Sequence, residues 1–248
     1  MRPAIALAWA LLAAGCVLGP AGEPRPYFEE VLMGAPFTDL VVEVDHAPDR
    51  APGLAAREHL LEQLRAVTSK QRVSIVLQET LDEDEGRRWS SEDLVALERE
   101  TRTTVHEAPV AVLHVLYPAG KFERDGVAGV TVSGPVIGPV VVFLDTLDEL
   151  RLDALPVLPL PREARDEIER ATLLHEAGHA LGLVDNGLPM VTQREDPDHE
   201  GHTRNAESVM YWQVESLDGI REALLHDGTV PVEFDDDDRA DLRSAGGR

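Results

Sequence analysis

The chain is poor in three kinds of residue: cysteine, aromatic residues and basic residues. Cys16 is the single cysteine among 248 residues, which excludes disulfides within the chain and leaves histidine and carboxylate side chains as the available zinc ligands. Aromatic residues make up 4% of the chain, too few for a surface that stacks nucleic-acid bases. The 23 lysine and arginine residues face 46 aspartate and glutamate residues, a formal net charge of −23, so we expect no nucleic-acid partner.

Long hydrophobic runs are also missing, apart from a short one at the N-terminus. The apolar run over residues 4–18 is too short for a membrane-spanning helix and is typical of a secretory signal peptide. Small residues directly before Cys16 resemble the lipobox of bacterial lipoproteins. That resemblance implies a signal peptide over residues 1–15, a lipidated Cys16 that begins a flexible tether over residues 16–35, and an exported protein at the cell envelope, anchored to the membrane through its lipid alone. The alternative is an ordinary signal peptide and a secreted protein.

The rest of the chain alternates strand and helix patterns and predicts one domain of mixed α/β (α+β) class over residues 36–248. A hydrophobic content of 43% is enough for a core, and the alternation predicts helices packed on a twisted sheet. Ser90 and Asp93 form an acidic variant of the capping box at the start of one helix. The predicted strands cover residues 38–44, 72–78, 109–117, 127–132 and 140–144, and the predicted helices cover residues 54–69, 90–102 and 162–181.

The last of these helices carries His175, Glu176 and His179. Histidines four positions apart lie on one face of a helix, so both imidazoles can reach one zinc ion at about 2.0–2.1 Å. Glu176 is turned by about 100° from the first histidine, so its carboxylate lies beside the metal. There it can accept a proton from the attacking water and pass it to the leaving amine. Gly182 is typical of a helix end. The alternative is a charged helix face whose two histidines bind no metal.

Residues 175–182, His-Glu-Ala-Gly-His-Ala-Leu-Gly, match the start of the metzincin signature, His-Glu-x-x-His-x-x-Gly-x-x-His. The chain therefore resembles the metzincin zinc metallopeptidases. The resemblance implies an upper lobe (residues 36–182) with a mixed twisted sheet, helices and the active-site helix, and a small, mostly irregular or helical lower lobe (residues 183–248). It also implies one catalytic zinc ion, a protein or peptide substrate, and endopeptidase activity with Glu176 as the general base.

The sequence offers several candidates for the third metal ligand. The signature places it at position 185, which is Asp185 here, and a carboxylate can bind zinc or orient a histidine. His202 lies eight positions before Met210, the separation between the third histidine and the Met-turn methionine in matrixins and archaemetzincins. The sequence around Met210, Ser-Val-Met-Tyr, itself resembles the Met-turn, which implies a hydrophobic base under the ligands. We favour His202, with Asp185 as the alternative, His199 as a more distant one, and residues 185–201 as largely an insertion.

The C-terminal part and one central segment complete the prediction. Residues 214–225 and 239–243 have helical spacing, and the acidic run over residues 235–238 predicts a solvated helix start, with a calcium site as the alternative. Residues 129–136 are a candidate edge strand for an extended substrate. The same residues are also compatible with a surface lipoprotein that binds zinc or a partner without catalysis, but an intact Glu176 favours the enzyme.

Overall fold

The computed structural model describes residues 26–84, 86–132, 138–150 and 161–248. The predicted signal peptide and Cys16, and the end of the predicted edge strand over residues 133–136, lie outside the described residues. The strands are β1 (Asp39–His46), β2 (Arg72–Glu79), β3 (Arg88–Trp89), β4 (Val110–Tyr117), β5 (Lys121–Phe122), β6 (Gly129–Thr131), β7 (Val140–Val142), β8 (Glu195–Asp196) and β9 (His199–Thr203). The helices are α1 (Tyr27–Leu32), α2 (Leu54–Val67), α3 (Ser91–Thr101), α4 (Leu144–Leu147), α5 (Arg162–Ala180), a 3-10 helix (Trp212–Val214), α6 (Leu217–His226) and α7 (Asp236–Ser244).

Five strands form one sheet in the order β2-β1-β4-β7-β6. The first four are parallel to their neighbours, and β6 runs antiparallel to β7 at one edge. β1 and β4 lie in the middle of the sheet and bury nearly all of their residues, as expected of valine- and leucine-rich strands that are covered on both faces. The predicted mixed α/β fold is therefore confirmed.

Helices cover both faces of this sheet. α2 and α5 contact each other on one face, where Leu40, Leu64 and Leu174 are completely buried in the main hydrophobic core. On the other face, Leu94 of α3 packs into a second cluster that includes Leu116 of β4. Burying one leucine side chain contributes about 1.5–3 kcal/mol, so these two layers hold the sheet and α5 in a fixed relation.

The start of α3 follows the prediction closely. The backbone N–H of Asp93 donates to the Ser90 hydroxyl at 3.1 Å, and the backbone N–H of Ser90 donates to the Asp93 carboxylate at 3.0 Å. The predicted capping box is confirmed. Such caps are worth about 1 kcal/mol, which stabilises the helix that covers the second face of the sheet.

Two predicted boundaries need correction. Residues 27–32 form α1, and Val31 is completely buried, so the flexible tether predicted up to residue 35 is too long. The prolines and glycines around this segment obscured a short helix with apolar residues on one side. Leu144 begins α4 and does not end the preceding strand, because the chain leaves the sheet after Val142.

The chain after α5 forms a short hairpin followed by helices. β8 and β9 pair in antiparallel fashion, so the histidines at positions 199 and 202 lie in a strand and not in an irregular insertion loop. The helical spacing predicted over residues 214–225 and 239–243 corresponds to α6 and α7. No helix within the described ranges has the length and hydrophobicity that a membrane span requires.

The acidic run at the start of α7 is partly buried, which corrects the expectation of a solvated helix start. Asp235 caps the helix, whereas Asp238 is completely buried. Asp238 accepts hydrogen bonds from Arg194 at 2.8 Å and from the Ser208 hydroxyl at 2.6 Å. Arg194 also donates to Asp241 at 2.5 Å. Arg194 precedes the β8–β9 hairpin and Ser208 follows it, so this buried network connects α7 to the chain on both sides of the hairpin.

Candidate metal centre

α5 carries both histidines of the motif and ends directly after them. Gly182 has a φ of +85°, in the left-handed region that favours glycine. Its N–H donates to the carbonyl of His179 at 3.0 Å, and the N–H of Leu183 donates to the carbonyl of Gly178 at 3.1 Å, which is the Schellman pattern. A Cβ at position 182 would lie 3.1 Å from Leu188. The predicted helix end at Gly182 is confirmed.

The hairpin after this turn brings a third histidine to the first two. The ring centroid of His202 lies 5.1 Å from that of His175 and 5.1 Å from that of His179, and the latter two are 4.7 Å apart. One ring nitrogen from each histidine lies within 4.8 Å of the other two. The N–H of Thr203 donates to the carbonyl of Met210 at 3.1 Å, which joins β9 to the segment that resembles the Met-turn.

Backbone carbonyls set the orientation of two of these rings. The Nδ1 atom of His175 lies 2.7 Å from the carbonyl oxygen of Val209, and that of His202 lies 3.0 Å from the carbonyl oxygen of Glu200. Because a carbonyl only accepts, Nδ1 carries the proton in both rings and Nε2 keeps its lone pair. The Nε2 atoms of His175 and His179 are 3.1 Å apart. Two nitrogens bound to one tetrahedral zinc ion are about 3.3 Å apart, so this spacing suits a shared ion.

Burial keeps the three rings neutral. Removal from water lowers the pKa of His175 to about 3, lowers the pKa of His179 well below its ordinary value, and lowers the pKa of His202 as well. The neutral imidazole is the form that binds metal ions. Among the described residues, His202 Nε2 is buried and has no hydrogen-bond partner. Because a cation would satisfy this orphaned lone pair together with the other two rings, the three histidines fit a bound metal ion.

Glu176 lies beside this group and is 1% exposed. Its Oε2 accepts from the Thr131 hydroxyl at 2.9 Å, whereas its Oε1 is buried without a hydrogen-bond partner among the described residues. Burial raises the pKa of Glu176 to about 8; the Thr131 bond opposes this shift and the charge of Glu215 adds to it. A cation at the histidines would lower this pKa again. A carboxyl group that can hold or release a proton near neutral pH is suited to proton transfer.

Met210 is completely buried against the helix between the two motif histidines. A Cβ on Gly178 would collide with Met210 Sδ and would lie 3.1 Å from the ring of Phe234. The thioether therefore packs directly on the helix backbone, and the glycine at the centre of the motif leaves the room for it. A Met-turn role for Met210 stays a prediction.

The two alternative ligands lie apart from the three-histidine group. Asp185 is exposed and has a left-handed backbone with a φ of +61°. The ring of His199 stacks on Trp212 with centroids 4.2 Å apart, and its Nδ1 lies 2.9 Å from the carboxylate of Asp196. The geometry therefore favours His202 over Asp185 and His199, and metal binding by His202 stays a prediction.

Polar residues that the sequence did not single out line the same cleft. Asn186 Nδ2 lies 2.9 Å from His179 Nδ1, and Glu215 Oε2 lies 3.6 Å from His202 Nε2. Asn186 gave only the signal of a turn, as part of an Asn-Gly pair, and Glu215 gave no signal, because it meets the site through tertiary structure. The cleft is lined by Val130, Thr131, Glu176, His179, Asn186, Glu200, Gly201, His202 and Glu215.

A second group of ligand-type residues is buried in the sheet. Glu43, Asp45 and His114 lie close enough together to hold an ion. However, the carboxylate of Glu43 accepts backbone N–H bonds from Thr103 at 2.6 Å and Thr104 at 2.7 Å, and His114 Nε2 lies 2.7 Å from Asp45. These carboxylates already have hydrogen-bond partners, so we interpret the group as a buried polar network and not as a metal centre.

The chain has a similar solved structure but matches no sequence family. No protein-family model matches the chain, and no curated protein matches it. Among solved structures, the chain is similar to the archaemetzincin from Methanopyrus kandleri, with 16% sequence identity, coverage of 84% of this chain and 96% of that chain, and a TM-score of 0.49. Fold and site define the chain as a mixed α/β domain with a three-histidine group able to bind a metal ion.

Proposed function

We propose that the protein is a zinc-dependent endopeptidase. The observation that carries the proposal is the convergence of three neutral imidazoles, two buried and that of His179 partly buried, with a carboxylate whose Oε1 has no partner among the described residues. Three nitrogen ligands would leave access to the ion for water or substrate, as catalytic zinc sites require. Histidine ligands suit several transition metals, and zinc is the ion most often held by three histidines and used for hydrolysis.

In the proposed hydrolysis, the three histidines bind the metal and Glu176 transfers the proton. His175, His179 and His202 would hold the metal, each through one ring nitrogen. When bound, zinc polarises a substrate carbonyl and makes an adjacent water molecule more acidic. Glu176 takes a proton from the attacking water at Oε1 and delivers it to the amine that leaves when the peptide bond breaks. Burial of these groups strengthens their electrostatic effect on the reacting atoms.

The edge strand β6 is the proposed binding site for the substrate backbone. Among the strands of the described sheet, β6 pairs only with β7. Val127 and Ala128, directly before β6, bond to Ser216 and Glu215, so the edge available to an extended peptide is that of residues 129–131. Val130 and Thr131 of this strand line the cleft that contains Glu176. Hydrogen bonds between main chains give affinity with little demand on sequence, which suits protein or peptide substrates.

The first test is whether zinc supports turnover. We expect the purified protein to bind about one zinc ion per chain and to cleave members of a quenched fluorescent peptide library. We also expect a chelator to stop cleavage and to lower the melting temperature, because an ion at 1,000 times its Kd stabilises the fold by about 4 kcal/mol. Stoichiometric zinc without turnover would instead support a surface protein that binds zinc or a partner without catalysis. A protein that binds no zinc and cleaves no peptide would refute the metal centre.

We further propose that the protein is exported and held at the cell envelope by lipid on Cys16, with secretion as the alternative. The support comes from the apolar run over residues 4–18 and the small residues before Cys16. We expect the mature protein to begin at Cys16 and to carry the added mass of acyl chains in mass spectrometry. A mature chain without acyl mass would favour the secreted form.

A further inference from the structure

The strand β6 approaches the helix α5 so closely that it contacts the side chain of Glu176. The hydroxyl of Thr131 lies 2.9 Å from Glu176 Oε2 and 2.7 Å from the backbone carbonyl oxygen of the same residue. A hydroxyl group has one proton to donate, so these two acceptors compete for it. The carboxylate is the stronger acceptor when it is ionised.

Gly129 makes this close approach possible. A Cβ at this position would lie 2.7 Å from Glu176 Cγ, 2.8 Å from Glu176 Oε1 and 2.9 Å from Thr172 Cγ2. Residues 129 and 131 of a strand point to the same face, so the glycine and the threonine both face α5 while Val130 points to the opposite face. One residue leaves room for the carboxylate, and the other donates a hydrogen bond to it.

The two oxygens of Glu176 are therefore not equivalent. Oε2 is held by Thr131, whereas Oε1 is buried with no hydrogen-bond partner among the described residues. A general base has to present one oxygen to the proton that it abstracts, at about 2.6–3.2 Å. A side chain with three rotatable bonds loses this alignment easily if neither oxygen is restrained.

We propose that Thr131 is a positioning residue that holds Oε2 of Glu176 and so directs Oε1 toward the reacting atoms, with Gly129 leaving space for the carboxylate. The proposal rests on the proposed peptidase function. It also connects substrate binding to proton transfer, because the strand whose open edge would pair with the substrate is the strand that orients the base. A peptide that pairs with β6 is then aligned with Glu176 by residues 129–131, the strand that also contacts this side chain.

The test compares two substitutions that separate the hydroxyl from the shape of the side chain. Thr131→Val keeps the branched shape and the strand preference but removes the hydroxyl, whereas Thr131→Ser keeps the hydroxyl. On the zinc-loaded full chain, with the best-cleaved library peptide, we expect Thr131→Val to lower kcat about tenfold with little change in KM. Thr131→Ser is expected to retain most of kcat. Equal kcat for wild type and Thr131→Val, or an equal loss in both variants, would overturn the proposal.

A second measurement does not depend on activity. The melting temperatures of the zinc-free wild type, Thr131→Val, Glu176→Ala and the double variant form a double-mutant cycle. If the hydroxyl binds the carboxylate, Thr131→Val costs less in the Glu176→Ala background than in the wild type. Additive effects would show that the hydroxyl binds the backbone carbonyl, which would overturn the proposal. This cycle remains decisive if the wild type cleaves no peptide, so failure of the peptidase function and failure of the positioning role are distinguishable.

Discussion

Replacing His202 with alanine is expected to abolish stoichiometric zinc binding, whereas replacing Asp185 with alanine is expected to leave it intact. His202 contributes the third ring nitrogen of the three-histidine group, and Asp185 is exposed outside it. Removing residues that only support the ligands weakens metal binding or activity by about 10–100-fold, and loss of a ligand should exceed that range. Zinc content after loading and gel filtration, with affinity measured by competition against a chelator, gives the comparison.

His199→Ala is the matched control for this experiment. His199 and His202 lie in the same strand, but His199 stacks on Trp212 and contacts Asp196 instead of the other histidines. We expect His199→Ala to keep the wild-type zinc content, so that loss in the His202 variant reports on the ligand and not on damage to the hairpin. Loss of zinc only in the Asp185 variant would restore the compact metzincin-type spacing and contradict the assignment of His202.

The part of the site on α5 could be predicted because its spacing is local. Histidines four positions apart on a helix must share a face, whatever the rest of the fold does. His202 was accessible for a different reason: its separation from Met210 resembles a known pattern, and the structure joins β9 to the methionine segment through the bond from Thr203. Ring orientation could not be predicted, since it depends on carbonyls such as that of Val209, 34 positions from His175.

The polar partners of the site lacked any sequence signal. Thr131 is 45 positions from Glu176, and nothing in its neighbourhood distinguishes it from other threonines in strands. The hairpin strands β8 and β9 are short and polar, so they lack the alternation of apolar residues by which a strand is recognised. The buried Asp238 looked like part of a solvated acidic run, because only the fold brings Arg194 to it.

Local sequence pattern also explains which elements of the fold were predicted and which were missed. β1 and β4 were predictable because both are rich in valine and leucine, as central parallel strands are, although β1 also carries the buried Glu43 and Asp45. α1 was missed because a helix of six residues has too few turns for its periodicity to stand out against the prolines before it. Local pattern therefore predicted the elements that build the sheet and the helix of the motif, and it failed where tertiary contacts decide the structure.

Replacing Glu176 with glutamine is expected to leave zinc bound and to reduce peptide hydrolysis by at least about 10²–10⁴-fold. Proton transfer by a positioned side chain contributes a factor of this size, and an amide cannot accept the proton. Zinc should remain because the three imidazoles, and not this carboxylate, form the metal-binding group. The measurements are zinc content and kcat/KM on the best-cleaved peptide, with Glu163→Gln, an exposed residue in the first turn of the same helix, as the control.

The stability of this variant provides an independent check on its fold. Burial raises the pKa of Glu176 from 4.5 to about 8, so the folded protein holds this proton more tightly than the unfolded chain does. Because the unfolded chain releases this proton while the folded protein keeps it, the free energy of unfolding falls as the pH rises from 4.5 toward 8, and a neutral amide does not cause this loss. In the zinc-free protein at pH 7, we expect Glu176→Gln to melt no lower than wild type.

If the Glu176→Gln variant is folded, holds zinc and still cleaves at the wild-type rate, Glu176 is not the proton-transfer group. If wild type binds zinc and neither protein cleaves, the site is a zinc-binding centre without catalysis.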